Sequence, residues 1–157
     1  MKKNTILVFR IGMIALSLLA LGFTYLYLPR FIESTVLTTN ISFIKYLYVI
    51  IASITNIPIF ISFIQANMLL NGFQSEEIFT DSIIKSFKVV MLSGLSIVAI
   101  HLIPIIVMVI SGNVSIIFIL LSSMVIFVAI IITSLIYLLQ KVFINAFVIK
   151  QENDLTV

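Results

Sequence analysis

The sequence predicts an all-α fold, a polytopic membrane protein with four transmembrane helices. Four apolar runs, residues 11–28, 47–70, 89–110 and 116–139, fill most of the 157-residue chain. Each is close to the ~20 residues that a helix needs to cross a hydrocarbon core of about 30 Å. The chain is 62% hydrophobic with a mean hydropathy of +1.31, far above the roughly 45–50% apolar usage of soluble domains. The runs also lack the alternation and turn spacing of barrel strands, which leaves the helix as the way for a backbone in lipid to satisfy itself. A single membrane domain over residues 1–157 follows, since too little polar sequence remains for a second, soluble unit.

The first run opens behind Met1-Lys2-Lys3 and Arg10. A basic start, an apolar stretch and the small-x-small triplet Ala20-Leu21-Gly22 imitate a secretory leader. The apolar character continues through Phe23, Tyr25 and Tyr27 to Pro29, which a cleaved leader does not need and a spanning anchor does. Pro29 and Arg30 are expected to close this span and to begin a short, Thr-rich loop over residues 30–42. The second run is stopped by Asn71-Gly72, residue types that often follow the last helical turn.

Residues 71–88 form the first long polar interval, with two helix starts, Ser75-Glu76-Glu77 and Thr80-Asp81-Ser82. Both place acidic side chains in a first turn, where the helix dipole favours them. From there Ile83, Ile84, Phe87, Val90 and Met91 recur at helical spacing, with Asp81, Lys85 and Lys88 between them. This pattern reads as a helix entering the third span, either as an amphipathic lead-in resting on lipid headgroups or as a docking face. Ser111-Gly112-Asn113-Val114 is a tight turn into the fourth run. Beyond that run, in the segment 140–157, Lys141, Asn145 and Lys150 alternate with Phe143, Phe147 and Val148 before a polar end.

Orientation follows from the cations, because lysine and arginine near span ends stay on the cytoplasmic side. Lys2, Lys3, Arg10, Lys85, Lys88, Lys141 and Lys150 fall on one side, and Arg30 and Lys45 on the other. Both termini, the 71–88 loop and the 140–157 tail are thus expected in the cytosol. Tyr25, Tyr27, Tyr46 and Tyr48 then form an aromatic belt at the outer interface. The expected location is a cell membrane crossed several times, with the lipid bilayer itself as the first partner.

Several function classes are poorly served by these residues. A formal charge of +3, scattered over the loops, suits membrane topology and not a nucleic-acid footprint, so no direct DNA or RNA binding is expected. There is no cysteine, so no disulfide or thiolate metal site can form. All six acidic residues, Glu33, Glu76, Glu77, Asp81, Glu152 and Asp154, lie in loops or the tail. No carboxylate pair, His-Glu-x-x-His motif, nucleophile elbow or phosphate loop can be placed. Catalysis, a resident metal and a cofactor are therefore not expected. Asn40-Ile41-Ser42 and Asn113-Val114-Ser115 match the short glycosylation pattern, which arises readily by chance.

Inside the spans most polar residues are Ser or Thr, which bond to their own helix and line helix contacts. Ser17, Ser53, Ser93, Ser96, Ser122, Ser123, Thr133 and Ser134 read this way, as does Gly94. Asn56 with Pro58, and His101 with Pro104, carry more information. Each pairs a hydrogen-bonding side chain with a proline that lacks an amide donor and frees a carbonyl four residues earlier. Antiparallel spans two and three bring Asn56 and His101 to similar depth, so they could form a polar notch. That notch is either a small-ligand or proton site or a neutral, packed cluster that fixes helix pairing.

The segments Tyr27-Leu28-Pro29-Arg30, Asn56-Ile57-Pro58, Phe63-Ile64-Gln65-Ala66 and Ile78-Phe79-Thr80-Asp81-Ser82 with Ile84-Lys85, and above all the ending Lys150-Gln151-Glu152-Asn153-Asp154-Leu155-Thr156-Val157, carry a resemblance. The layout resembles the bacterial membrane family called domain of unknown function 2975. The resemblance implies a small four-helix protein of Gram-positive bacteria, often encoded beside a Cro/C1-type helix-turn-helix regulator. It makes Glu152, Asn153, Asp154, Leu155 and Thr156 a candidate cytosolic contact, against the alternative of a frayed, solubilising end. Three functions remain open. The first is a regulatory or sensing partner of a cytosolic helix-turn-helix regulator. The second is self-protection against a membrane-active peptide or envelope stress. The third is a small transporter subunit using Asn56 and His101.

Overall fold

The computed structural model describes residues 3–35, 41–74, 81–110, 112 and 115–154. These build α1 (Lys3–Gly22), a π-helical turn (Phe23–Tyr27), α2 (Leu28–Thr35), α3 (Ile41–Gln74), α4 (Asp81–Ile110) and α5 (Ile116–Asp154). Four helical segments are long and apolar enough to cross a membrane: Thr5–Ser34, Tyr46–Gly72, Asp81–Ile110 and Ile116–Ile149. The protein is a polytopic α-helical membrane protein.

The helices outrun the apolar runs that predict them. Pro29, expected to stop the first span, lies inside one continuous helical path from Lys3 to Thr35. The π turn explains the passage. Leu28 donates its amide to the Phe23 carbonyl five residues back, and this wider turn falls where a proline ring at position 29 would crowd the carbonyl four residues earlier. The Asn71-Gly72 stop is likewise passed, because α3 continues to Gln74. Pro58 and Pro104 both sit within unbroken helices.

Packing follows the chain order, with α1 and α2 on α3, α3 on α4, and α4 on α5. One end of the bundle, here the terminal end, gathers the start of α1, the end of α3, the start of α4 and the late part of α5. There the Arg10 guanidinium donates to Asn71 Oδ1, and Gln140 Nε2 donates to the Ile84 carbonyl at 3.3 Å. Leu69, Ile83 and Phe87 form the local core with Ile136 and Phe143. Ile83 and Phe87 thus pack one face of the lead-in to the third span into the bundle, while Asp81, Lys85 and Lys88 stay exposed. The opposite, turn end is closed by Leu28, Ile32, Tyr48, Ile51, Met108 and Phe118. Tyr48 and Phe118 meet edge to face, with ring centroids 4.7 Å apart. Gly112 takes a left-handed φ of 72° in the α4–α5 turn, a conformation that costs glycine little.

Elsewhere the surface is apolar, as lipid-facing helices require. Leu7, Phe9, Leu18 and Leu19 of α1 are each more than half exposed. Charge brackets the first span well: Arg10 and Arg30 are separated by about 30 Å at 1.5 Å per residue, the thickness of the hydrocarbon core.

Candidate functional site: a buried polar layer across four helices

Between the two apolar cores lies a transverse polar layer. Thr24 of the π turn, Thr55 and Asn56 of α3, His101 of α4 and Ser122 of α5 are all buried. Asn56 Nδ2 donates to Thr24 Oγ1 at 3.2 Å, and Thr24 in turn donates to the Ala20 carbonyl at 2.9 Å. On the next position of α3, Thr55 Oγ1 donates to the Ile51 carbonyl at 2.8 Å and lies 3.1 Å from His101 Nε2. The other ring nitrogen, His101 Nδ1, is 3.3 Å from Ser122 Oγ.

Hydrogen-bond accounting assigns the tautomer. The Thr55 proton is engaged with its own backbone, so Thr55 must accept, and His101 Nε2 carries the hydrogen. Ser122 has no such bond to its own helix, unlike Ser17, Ser53, Ser62, Ser86, Ser93 and Ser96. Its hydroxyl is therefore free to donate to His101 Nδ1. A neutral imidazole, hydrogen-bonded at both nitrogens, satisfies these contacts.

Asn56 and His101 thus share one layer, as their antiparallel placement predicts, but they bond through different neighbours. Consecutive positions on a helix point about 100° apart, so Asn56 turns to α1 while Thr55 turns to α4. Pro58 is buried next to the layer, and Pro104 is half-buried three residues from His101. Thr24 and Thr55 are partners in the layer that sequence reasoning passes over, and Ser122 is one that it reads only as packing. The only trace of them is a second polar residue beside an expected one, as in Thr55-Asn56 and Ser122-Ser123. The layer stands about 20 Å from the Arg10, Asn71 and Lys88 level, counted along α1, α3 and α4.

The Tyr48 hydroxyl, nearer the turn end, faces the Ser115 side chain without a hydrogen bond of good geometry and is buried unpartnered. Among the described residues no group of three or more His, Cys, Asp or Glu is placed to hold a metal. The layer carries hydroxyls, one amide and one imidazole, and no carboxylate. Its hydrogen bonds link the π turn to α3 and α3 through α4 to α5. His101→Leu is expected to lower stability by about 1 kcal/mol, as two interhelical bonds of about 0.6 kcal/mol each are lost and the hydroxyls can turn to their own backbones. Denaturation by dodecyl sulfate in mixed micelles measures this, and a loss above about 3 kcal/mol would mean that the layer couples the helices more strongly than pairwise bonds allow.

Of the contact residues in the tail, Glu152, Asn153 and Asp154 lie in the last turn of α5, with Glu152 exposed. Leu155 and Thr156 lie outside the described residues.

Four spanning helices joined by short connections, with a polar layer inside and apolar faces outside, define a small polytopic membrane protein. The chain belongs to the family described as "Protein of unknown function (DUF2975)", whose model matches residues 31–157. The match takes in Thr55, Asn56, His101, Ser122 and the tail, and leaves α1, the π turn with Thr24, and Tyr27-Leu28-Pro29-Arg30 before it. No curated protein and no solved structure matches the chain.

Proposed function

We propose that this chain is a non-catalytic regulatory protein of the bacterial cytoplasmic membrane that holds a small cytosolic helix-turn-helix transcription regulator at its terminal end. The observation that carries the reading is the unbroken course of α5 from Ile116 to Asp154. About 20 Å of this helix extends past Lys141. Its root is fixed by the Gln140 bond to the Ile84 carbonyl and by the Phe87–Phe143 ring contact, centroids 5.2 Å apart. Glu152 to Asp154, at the end of this supported arm, are thus carried past the level of Asp81, Lys85 and Lys88. The distribution of lysine and arginine favours the cytosol for this end, and the regulator is the neighbour that the family resemblance implies.

The test is a gentle-detergent pull-down of the tagged protein from its native membranes, compared with a chain ending at Ile149. Recovery of a helix-turn-helix protein with the full chain, and its loss with the shortened one, is the expected result. Recovery of no such protein from either removes the reading.

Self-protection against a membrane-active peptide is the second reading, and the exposure of the first span favours it. Only 6% of the most apolar window of that span is buried, so α1 offers a broad face within the bilayer. That reading expects altered peptide susceptibility in a deletion strain, restored equally by full-length and shortened chains. A transporter subunit working through Asn56 and His101 is less well served, since His101 uses both ring nitrogens within the bundle.

A further inference from the structure

A second feature adjoins the polar layer and runs from it toward the terminal end. Between α3 and α4 runs an open groove of about 390 Å³, with Ile54, Pro58 and Ile61 on one wall and Leu92, Ser96 and Ile100 on the other. Small serines make the room. The hydroxyls of Ser93 and Ser96 donate to the Val89 and Leu92 carbonyls at 3.0 and 2.8 Å, so the groove stays apolar although serines line it.

Its length and its mouth suggest what fills it. From Val89 to Ile100 the groove covers about 17 Å, close to one leaflet of a core about 30 Å thick. It begins one residue past Lys88. On α4, Lys85 precedes Val89 by one turn and Lys88 precedes Leu92 by one turn, so both cations stand on the groove's own face at its terminal-end mouth. Both are exposed. Neither makes an ion pair among the described residues. The one described carboxylate on this stretch is Asp81, a further turn away and likewise unpaired with Lys85 among the described residues.

From this placement we infer that the α3–α4 groove is a binding site for an anionic phospholipid, one acyl chain lying along the groove and the phosphate resting between Lys85 and Lys88. Basic side chains at the membrane face of an interhelical cleft recognise such headgroups, and the flexible lysine stems reach them while covering apolar surface. The inference is independent of the regulator reading.

The experiment uses the full chain in mixed micelles with phosphatidylglycerol or with phosphatidylcholine of the same acyl chains, and reads lipid retained after exchange. Phosphatidylglycerol is expected to be retained roughly thirtyfold better, with each lysine contributing about fivefold. Lys85→Gln with Lys88→Gln should abolish the preference. Ser96→Phe, a lipid-facing change that leaves the helix intact, should block the groove and reduce retention of both lipids. Lys141→Gln is the control, because that cation sits 5.3 Å from the Tyr137 ring centroid, away from the groove, and the preference should persist. Equal retention of the two lipids, retention unaltered by Ser96→Phe, or a loss with Lys141→Gln as large as with the Lys85 and Lys88 pair would each overturn the site.

Discussion

Phe118→Ala is expected to lower stability by about 3 kcal/mol or more, the largest loss from any single truncation considered for this chain. Phe118 is 1% exposed and lies at the centre of the turn-end core, where side chains from α2, α3, α4 and α5 converge. In lipid there is little hydrophobic gain from bringing helices together, so close packing carries much of their association. Removing a ring from such a site forfeits its contacts outright and leaves a void that the fixed backbones can fill only in part. It also strips Tyr48 of its edge-to-face partner. Dodecyl sulfate unfolding in mixed micelles can be followed by tyrosine fluorescence, since the chain has five tyrosines and no tryptophan. Phe118→Leu should recover most of the loss. If the alanine variant unfolds at the wild-type detergent fraction, the turn end is not packed as described.

The second large effect is at Gly94. A methyl placed there would overlap the Thr133 hydroxyl and come within 3.3 Å of its Cβ. Thr133 has little room to yield, because it is β-branched and its hydroxyl is tied to the Ala129 carbonyl at 2.7 Å. Glycine to alanine within a helix would by itself gain about 1 kcal/mol. Here the contact should reverse that sign. Gly94→Val is expected to cost about 1–3 kcal/mol through overpacking of α4 on α5. Combined with Thr133→Gly, part of the loss should return, whereas Thr133→Gly alone should be destabilising. A double-variant cycle reads this coupling. Additive losses would show that the two positions do not meet.

The number and type of the helices were legible from hydropathy alone, because lipid imposes one requirement on every spanning residue. Helix ends were less legible. Apolar runs report where the hydrocarbon begins and ends, whereas α3 and α5 continue as helix into sequence such as Asn71 to Gln74 and Lys141 to Asp154. Asn56 and His101 stood out because an amide and an imidazole are rare and costly in lipid. Their partners did not. Thr24, Thr55 and Ser122 look in sequence like any hydroxyl bonded to its own helix, and only the rotation of each helix separates Ser122 from Ser96. The groove along Ser93 and Ser96 was hidden for the same reason, since two serines read as packing until Ile54, Pro58 and Ile61 are seen across from them.

The wide turn at Phe23–Tyr27 also sets the phase of everything after it. The inward stripe of the first span includes Ile6, Arg10, Met13, Ser17, Ala20 and Thr24 and then the buried Leu28 and Ile32. Uninterrupted α periodicity would instead point Tyr27 and Phe31 at α3. A π turn holds one residue more than an α turn would, and this surplus slides the inward stripe along by one place. The displaced rings become a ladder, exposed at Phe23 and Tyr27 and half-buried at Phe31, with Phe23 on Tyr27 at 5.4 Å and Tyr27 on Phe31 at 6.0 Å. The first helix therefore carries its own slack: a residue lost from this turn would relax it to ordinary α geometry and leave Leu28 and Ile32 in the core, whereas the same loss anywhere along α1 would turn one half of the span against the other.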